Sequence, residues 1–249
     1  MRLAGLVEYD GTRFAGWAAQ PDRRTVEGEI TGALRTVLRQ PVKLSVAGRT
    51  DAGVHASGQV VSFDAETEMP TPLVSYKATA VLPEDVALRR CVAAPEGFDA
   101  RRSAKSRSYE YLLVNDEIRS PLMRLRAAYE PRKLDFGLLD EAGALVRGVH
   151  DFRAFTPSKG YHVRFERVVT ESFWAREGDL LTYRITADSF LYGMVRTLVG
   201  TMREVALGKR DLGRFAALLS SGERREAGPA APARGLTLTG VGYEERLWR

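Results

Sequence analysis

The sequence predicts an α+β fold made of two ferredoxin-like halves. Some stretches alternate apolar and polar residues with period two and others repeat apolar residues in threes and fours, so strands and helices are both expected. In the first part of the chain the order is strand, helix, strand, strand, helix, strand, which is the ferredoxin-like unit. A looser version of that order occupies the second part.

Residues 3–9 (LAGLVEY) read as a strand closed by the turn signal Asp10-Gly11. Val26, Ile30, Ala33, Leu34, Val37 and Leu38 share one helical face, with Thr25 as N-cap and Pro41 just past the end. Strands are expected over 43–47 and 59–64, on either side of the loop Gly48-Arg49-Thr50-Asp51-Ala52-Gly53-Val54-His55. A helix starts near Pro72 and ends before Pro83, and residues 86–92 form the next strand. In the second part, residues 108–114 alternate as a strand should, and Leu134, Leu138, Leu139, Ala142, Leu145 and Val146 mark a helix. Residues 167–176 and 180–187 form a hairpin joined at Glu177-Gly178-Asp179. The spacing of Phe190, Leu191, Met194, Val195, Leu198, Val199 and Met202 predicts a helix over 190–207, followed by a short helix over 211–219 and a strand over 237–243. The halves join near 103–106, dividing the chain into 1–105 and 106–249. The segment 222–235, rich in Ala, Pro and Arg, is expected to be a mobile loop.

A chain of 249 residues, 44% of them hydrophobic, holds one large domain or two modest ones sharing a core. Charge, Gly and Pro contents give no sign of disorder. The single cysteine, Cys91, excludes an intrachain disulfide and fits a reducing compartment. Lying in an apolar run, it is expected to pack rather than react. The N-terminus reaches charge too soon for a signal peptide, and no uncharged apolar stretch of about eighteen residues is present. The expectation is a cytoplasmic protein with no membrane span. A formal charge of +5 and a pI of about 9.4 permit an anionic partner without naming one.

The most informative stretch is Gly48 to Ala56. An acid, Asp51, lies on a glycine-flanked loop between two strands. Arg49, two residues earlier, favours the ionised carboxylate that a nucleophile needs. The same residues also read as an ordinary Asp-x-Gly turn, and the loop alone leaves both readings open.

The run GRTDAGVHASGQV resembles the signature of the TruA family of tRNA pseudouridine synthases. Tyr9-Asp10-Gly11 with Phe14, Gly16 and Trp17 is similar to that family's opening segment. Phe98-Asp99-Ala100-Arg101 and Arg107-Ser108-Tyr109-Glu110-Tyr111 resemble two further stretches, His150-Asp151-Phe152 with Phe155 another. Phe190-Leu191-Tyr192 with Met194-Val195-Arg196 resembles its FLxxMVR segment. The motifs keep family order over nearly the whole chain. Departures are Ala18 for a frequent Gln, Ala47 for Gly or Cys, and Gly193 for His.

The resemblance implies a central antiparallel sheet with an active cleft between the halves, and a homodimer. It implies isomerisation of uridine to pseudouridine in the anticodon stem-loop of tRNA, at its thirty-eighth to fortieth nucleotides, with no metal, redox group or nucleotide cofactor. No Walker P-loop, HExxH or zinc-spaced Cys/His pattern is present. Asp51 is then the nucleophile. Tyr109 offers a ring to stack on an extruded uracil and a hydroxyl to manage a proton. Arg49 positions a phosphate or base. Gly193, Arg196, Gly200 and Arg203 fall on one side of their helix, where the glycines leave room for a loop or second chain and Arg196 offers a fork to grip Asp51. Arg203 on the same side is expected to tolerate lysine. His55 reads as structural. Arg23, Arg24, Arg101, Arg102 and Lys105, with the stretch 159–167 and Arg224-Arg225, are candidate contacts to the RNA backbone.

Three other readings compete. A non-catalytic RNA-binding module needs an RNP1 run of Gly and Phe, which is missing beside the two tyrosines at 109 and 111. A metal-dependent nuclease using Asp51 and His55 lacks a clustered acidic pair. A pseudouridine synthase acting on another RNA stays open.

Overall fold

The computed structural model describes residues 1–157, 163–220, 222–244 and 246–248. The chain forms two compact units, residues 1–107 with 238–249, and residues 108–237. The architecture is α+β with mostly antiparallel strands.

The first unit contains β1 (Arg2–Tyr9), a 3-10 turn (Gly11–Arg13), α1 (Val26–Leu38), β2 (Ser45–Val46), β3 (His55–Asp64), α2 (Thr71–Val81) and β4 (Val86–Ala93). β1 is antiparallel to both β3 and β4, and β2 lies on β3, which is the ferredoxin-like strand order. Between Val7 and Tyr9 the register with β3 slips by one residue, so Tyr9 faces Ala56. A bulge of this kind sharpens the twist and re-aims a side chain; here it carries Tyr9 to the loop before β3. The Thr25 side chain caps α1 by accepting the Gly28 N–H. Val26, Ile30, Ala33 and Leu34 form its buried face. Cys91 is buried and its thiol is pushed up to about 12 by that burial, so it packs as expected.

Arg24 is committed inside this unit. Its two Nη atoms each donate to Asp85 at 2.7 Å and Nε donates to Glu29 at 2.7 Å, while the guanidinium lies 4.3 Å from the Phe14 ring centre. The Arg24 bonds hold the Asp85 carboxyl below the usual carboxylate range, against the upward pull of burial. With the folded value below the unfolded one, the pair stabilises the fold above about pH 4 and loses that contribution as pH falls through the folded value. The difference in Tm between wild type and Asp85→Asn is therefore expected to be largest at neutral pH and to shrink in acid. A difference independent of pH contradicts this.

The second unit contains most of β5 (Ser106–Asn115), then β6 (Ala128–Glu130), α3 (Phe136–Leu145), β7 (Gly148–Asp151), β8 (Glu166–Glu177), β9 (Leu180–Ala187), α4 (Met194–Ala206) and α5 (Leu212–Leu218). Its strand order is β5-β9-β8-β7, with β6 parallel to β5. The β8–β9 hairpin closes at Gly178, whose φ of 59° suits glycine. α3 settles on β8 because Gly143 has no side chain: a Cβ there would lie 2.8 Å from the Trp174 ring.

The last strand, β10 (Leu236–Gly242), belongs to the first unit from Leu238 onward. Leu247 and Trp248 pack with Val241 and Tyr243 against a core of Ala4, Ala47, Val60, Phe98 and Ala100, and the Tyr243 hydroxyl donates to the Ala100 carbonyl at 2.8 Å.

Several elements differ from their sequence-based expectation. α4 starts at Met194 rather than 190, because Gly193 adopts a left-handed φ of 68° that interrupts the helix. β3 starts at His55, so that residue is on a strand rather than in the loop. Within the segment 222–235, residues 228–231 are strapped to α4 instead of loose, through the bonds of Gly228 and Ala231. Residues 159–162 of the basic stretch 159–167 lie outside the described residues. Among the described residues, no helix is long and apolar enough to cross a membrane.

Candidate active site

The loop before β3 is held at many points by its own unit. The Gln59 amide donates to the Gly48 carbonyl at 2.6 Å. The Arg107 guanidinium donates to the Ala47 carbonyl through Nε and Nη2, and also to the carbonyls of Arg101 and Ala104. The Tyr9 hydroxyl and Thr50 Oγ1 are 2.7 Å apart, and the Trp17 N–H donates to the Thr50 carbonyl at 3.0 Å. The Gly53 N–H reaches the Phe14 carbonyl and the Val54 N–H the Asp51 carbonyl. Gly16, at φ 101°, lets the segment after the turn lie against Thr50 and Ala52. Asp51 is thus half-buried on a loop whose backbone is fixed before and after it, while Arg49 is exposed.

Tyr9, Thr50, Gln59 and Arg107 serve this arrangement and were not singled out as site residues from sequence. Tyr9 offered a signal, being the last residue of a strand beside the Asp10-Gly11 turn. Burial pushes its phenol up to about 12, with hydrogen bonds to Thr50 and Gln59 pulling the other way, so it stays protonated at neutral pH. Tyr9→Phe is expected to lower stability by about 1 kcal/mol, the typical net worth of one buried hydrogen bond. Denaturant unfolding checks this, and an unchanged midpoint contradicts it.

Tyr109 and Arg196 are in the second unit. Tyr109 is 8% exposed and meets the Phe190 ring edge-on at 5.0 Å. Arg196 Nε donates to the Ala231 carbonyl at 2.8 Å, and the Ala231 N–H donates back to the Arg196 carbonyl at 2.8 Å. One turn further, a Cβ on Gly200 would lie 1.8 Å from the Pro229 carbonyl oxygen, and the Gly228 N–H donates to Thr201 Oγ1 at 3.0 Å. Residues 228–231 therefore form a strap along α4 that fixes the root of the Arg196 guanidinium. Arg203 is no neutral neighbour. Its Nη1 lies 3.2 Å from Glu130, whose side chain is only 2% exposed, so lysine there would disturb a buried carboxylate.

A model of the tRNA pseudouridine synthase family matches residues 6–101 and 142–244, more than half of the chain. The chain belongs to the tRNA pseudouridine synthase family. Among curated relatives, tRNA pseudouridine synthase A of Acetivibrio thermocellus is 37% identical over 238 residues, 96% of this chain and 98% of the relative. The enzyme of that name from Geobacillus kaustophilus is 38% identical over 98% of this chain and 95% of its own. That from Geotalea uraniireducens is 39% identical over 96% and 98%. A chain of a crystallised Cbf5-Nop10-Gar1 complex is matched with a TM-score of 0.37 at 14% identity, over 96% of this chain and 59% of that one, a likeness too loose to bear on this protein.

Membership in the pseudouridine synthase family makes the chain an isomerase. It also gives the departures from family pattern a structural setting. Ala47 is a buried core residue whose carbonyl takes the Arg107 guanidinium, and Gly193 has a backbone that a side chain would strain. The candidate backbone contacts divide. Arg23, Arg101 and Arg102 are exposed. Lys105 pairs with Glu244 at 2.8 Å on the surface, an interaction weak enough to be exchanged for another. Arg24 gives all three of its guanidinium nitrogens to Asp85 and Glu29, which ties α1 to the loop before β4. Among the described residues, no three His, Cys, Asp or Glu side chains are grouped so as to hold a metal ion.

Proposed function

We propose that this chain converts uridine to pseudouridine in the anticodon stem-loop of tRNA, with Asp51 as nucleophile, and that it works in the cytoplasm as a homodimer. The observation that carries the reading is the anchored loop around Asp51, in a chain of this family. A nucleophile gains most when its aim is set before substrate arrives, because the entropy of orientation is then already lost.

The reaction breaks the bond between uracil N1 and ribose C1′, turns the ring and forms a bond from C5 to C1′, with C5 releasing its proton to water and N1 taking one up. A carboxylate serves it either by bonding to the sugar or ring, or by supporting the charge at C1′ as the N1 bond breaks. Both uses need the ionised form. Tyr109 is assigned to stacking on the extruded uracil and Arg49 to a phosphate or base. Arg196 is assigned to substrate binding, its guanidinium supplying a directional cation. Arg23, Arg101 and Arg102, with Lys105, are assigned to the phosphate backbone, where each neutralised phosphate releases counterions.

The test is to incubate unmodified tRNA and ribosomal RNA transcripts with the protein and map pseudouridine by position. Pseudouridine confined to the anticodon stem-loop of tRNA is expected. None, or pseudouridine in ribosomal RNA alone, overturns the reading. Light scattering tests the homodimer, for which twice the chain mass of 27.6 kDa is expected.

A further inference from the structure

His55 is 1% exposed, and the Gly11 N–H donates to its Nδ1 at 3.0 Å. Asp10 Oδ1 lies 3.1 Å from the same nitrogen, a distance that by itself suggests an ion pair. The two contacts require opposite states, since Nδ1 cannot accept the Gly11 hydrogen while carrying a proton of its own in the ring plane. Asp10 Oδ1 already accepts from the Thr12 N–H at 3.0 Å and the Thr12 hydroxyl at 2.5 Å. With the Gly11 hydrogen directed at it, Nδ1 is the acceptor in this contact.

Gly11 meets the nucleophile loop a second time. A Cβ at this position would lie 2.0 Å from the Val54 carbonyl oxygen, so only glycine lets the turn close on the loop. Val54 in turn donates its N–H to the Asp51 carbonyl at 3.2 Å. The chain of contact runs from Gly11 through His55 and Val54 to Asp51. We propose that His55 is a positioning residue, its Nδ1 locking the end of the Asp51 loop to the Gly11 amide. This rests on Asp51 being the nucleophile, and it gives His55 no proton to transfer at Nδ1.

The lock is tested with His55→Asn, His55→Gln and His55→Leu. The asparagine carbonyl can occupy the place of Nδ1, whereas the glutamine amide reaches the place of Nε2 and leucine only fills space. Two quantities are measured, the single-turnover rate at saturating tRNA and the exchange rate of the Gly11 amide by NMR. Leucine and glutamine are expected to lower the rate about a hundredfold with tRNA affinity kept, the scale of an ångström of misplacement, and to speed Gly11 exchange. Asparagine is expected to restore most of the rate and the slow exchange. Asparagine as impaired as leucine, or a Gly11 amide that exchanges alike in all four proteins, overturns the proposal. A wild type that forms no pseudouridine would instead overturn the functional reading, and the amide exchange would still decide the lock.

Discussion

Asp51→Asn is expected to lower single-turnover pseudouridine formation at least about a thousandfold, on the order of 4 kcal/mol of barrier, and to leave tRNA affinity nearly unchanged. Asparagine keeps the size of the side chain but is neither anionic nor a useful nucleophile. The backbone carbonyls of Ala47, Gly48, Thr50 and Asp51 and the side chains of Tyr9, Thr50 and Gln59 anchor the loop, and the substitution removes none of these. Binding and chemistry should therefore separate cleanly. A variant retaining a rate within about tenfold of wild type, only about 1.4 kcal/mol of barrier, would remove Asp51 from the role given to it.

Gly200→Ala is expected to be the most damaging single methyl group in the second unit. In an exposed helix, alanine is about 1 kcal/mol better than glycine. Here the added Cβ would stand 1.8 Å from the Pro229 carbonyl oxygen, so the strap over α4 must lift. Lifting it strains the paired bonds between Arg196 and Ala231 and the bond from Gly228 to Thr201. Overpacking of this sort costs about 1–3 kcal/mol, enough to outweigh the gain in helix propensity. Arg196 also loses the carbonyl that orients its Nε, so turnover should fall at least about tenfold, the loss expected when a contact is misaimed rather than deleted. Urea unfolding and single-turnover rates check both effects. An alanine variant as stable and as active as wild type would show that the strap matters to neither.

Much of this was legible in sequence because it rests on local periodicity. α1 carried its own N-cap at Thr25, and the β8–β9 hairpin its glycine turn. Gly200 announced the close approach of a loop, since a glycine inside an amphipathic helix is costly unless something needs the space. The chemistry of the loop was legible differently: an Asp-x-Gly turn is ambiguous alone, and the run around Asp51 had to be read whole. The less legible features depend on tertiary partners. Nothing near Arg24 in sequence reveals Asp85, which comes from a loop 61 positions later. Arg203 is expected from sequence to tolerate lysine because its partner, Glu130, lies in the three-residue strand β6, too short to leave a periodic signature. The strap reads as a mobile segment in sequence because its order comes from bonds to Arg196 and Thr201 of α4 and to Tyr111, whose hydroxyl donates to the Pro232 carbonyl at 2.9 Å, and not from its own composition.

The central claim is that this chain breaks an N-glycosidic bond and replaces it with a carbon–carbon bond on a tRNA uridine. It is tested most directly with tRNA carrying tritium at C5 of its uridines. Forming the new bond expels the C5 hydrogen, so tritium should appear in water with no added metal or cofactor, in amounts equal to the pseudouridine formed in the anticodon stem-loop. Tritium retained in the RNA after prolonged incubation, or released without pseudouridine being formed, would contradict the account.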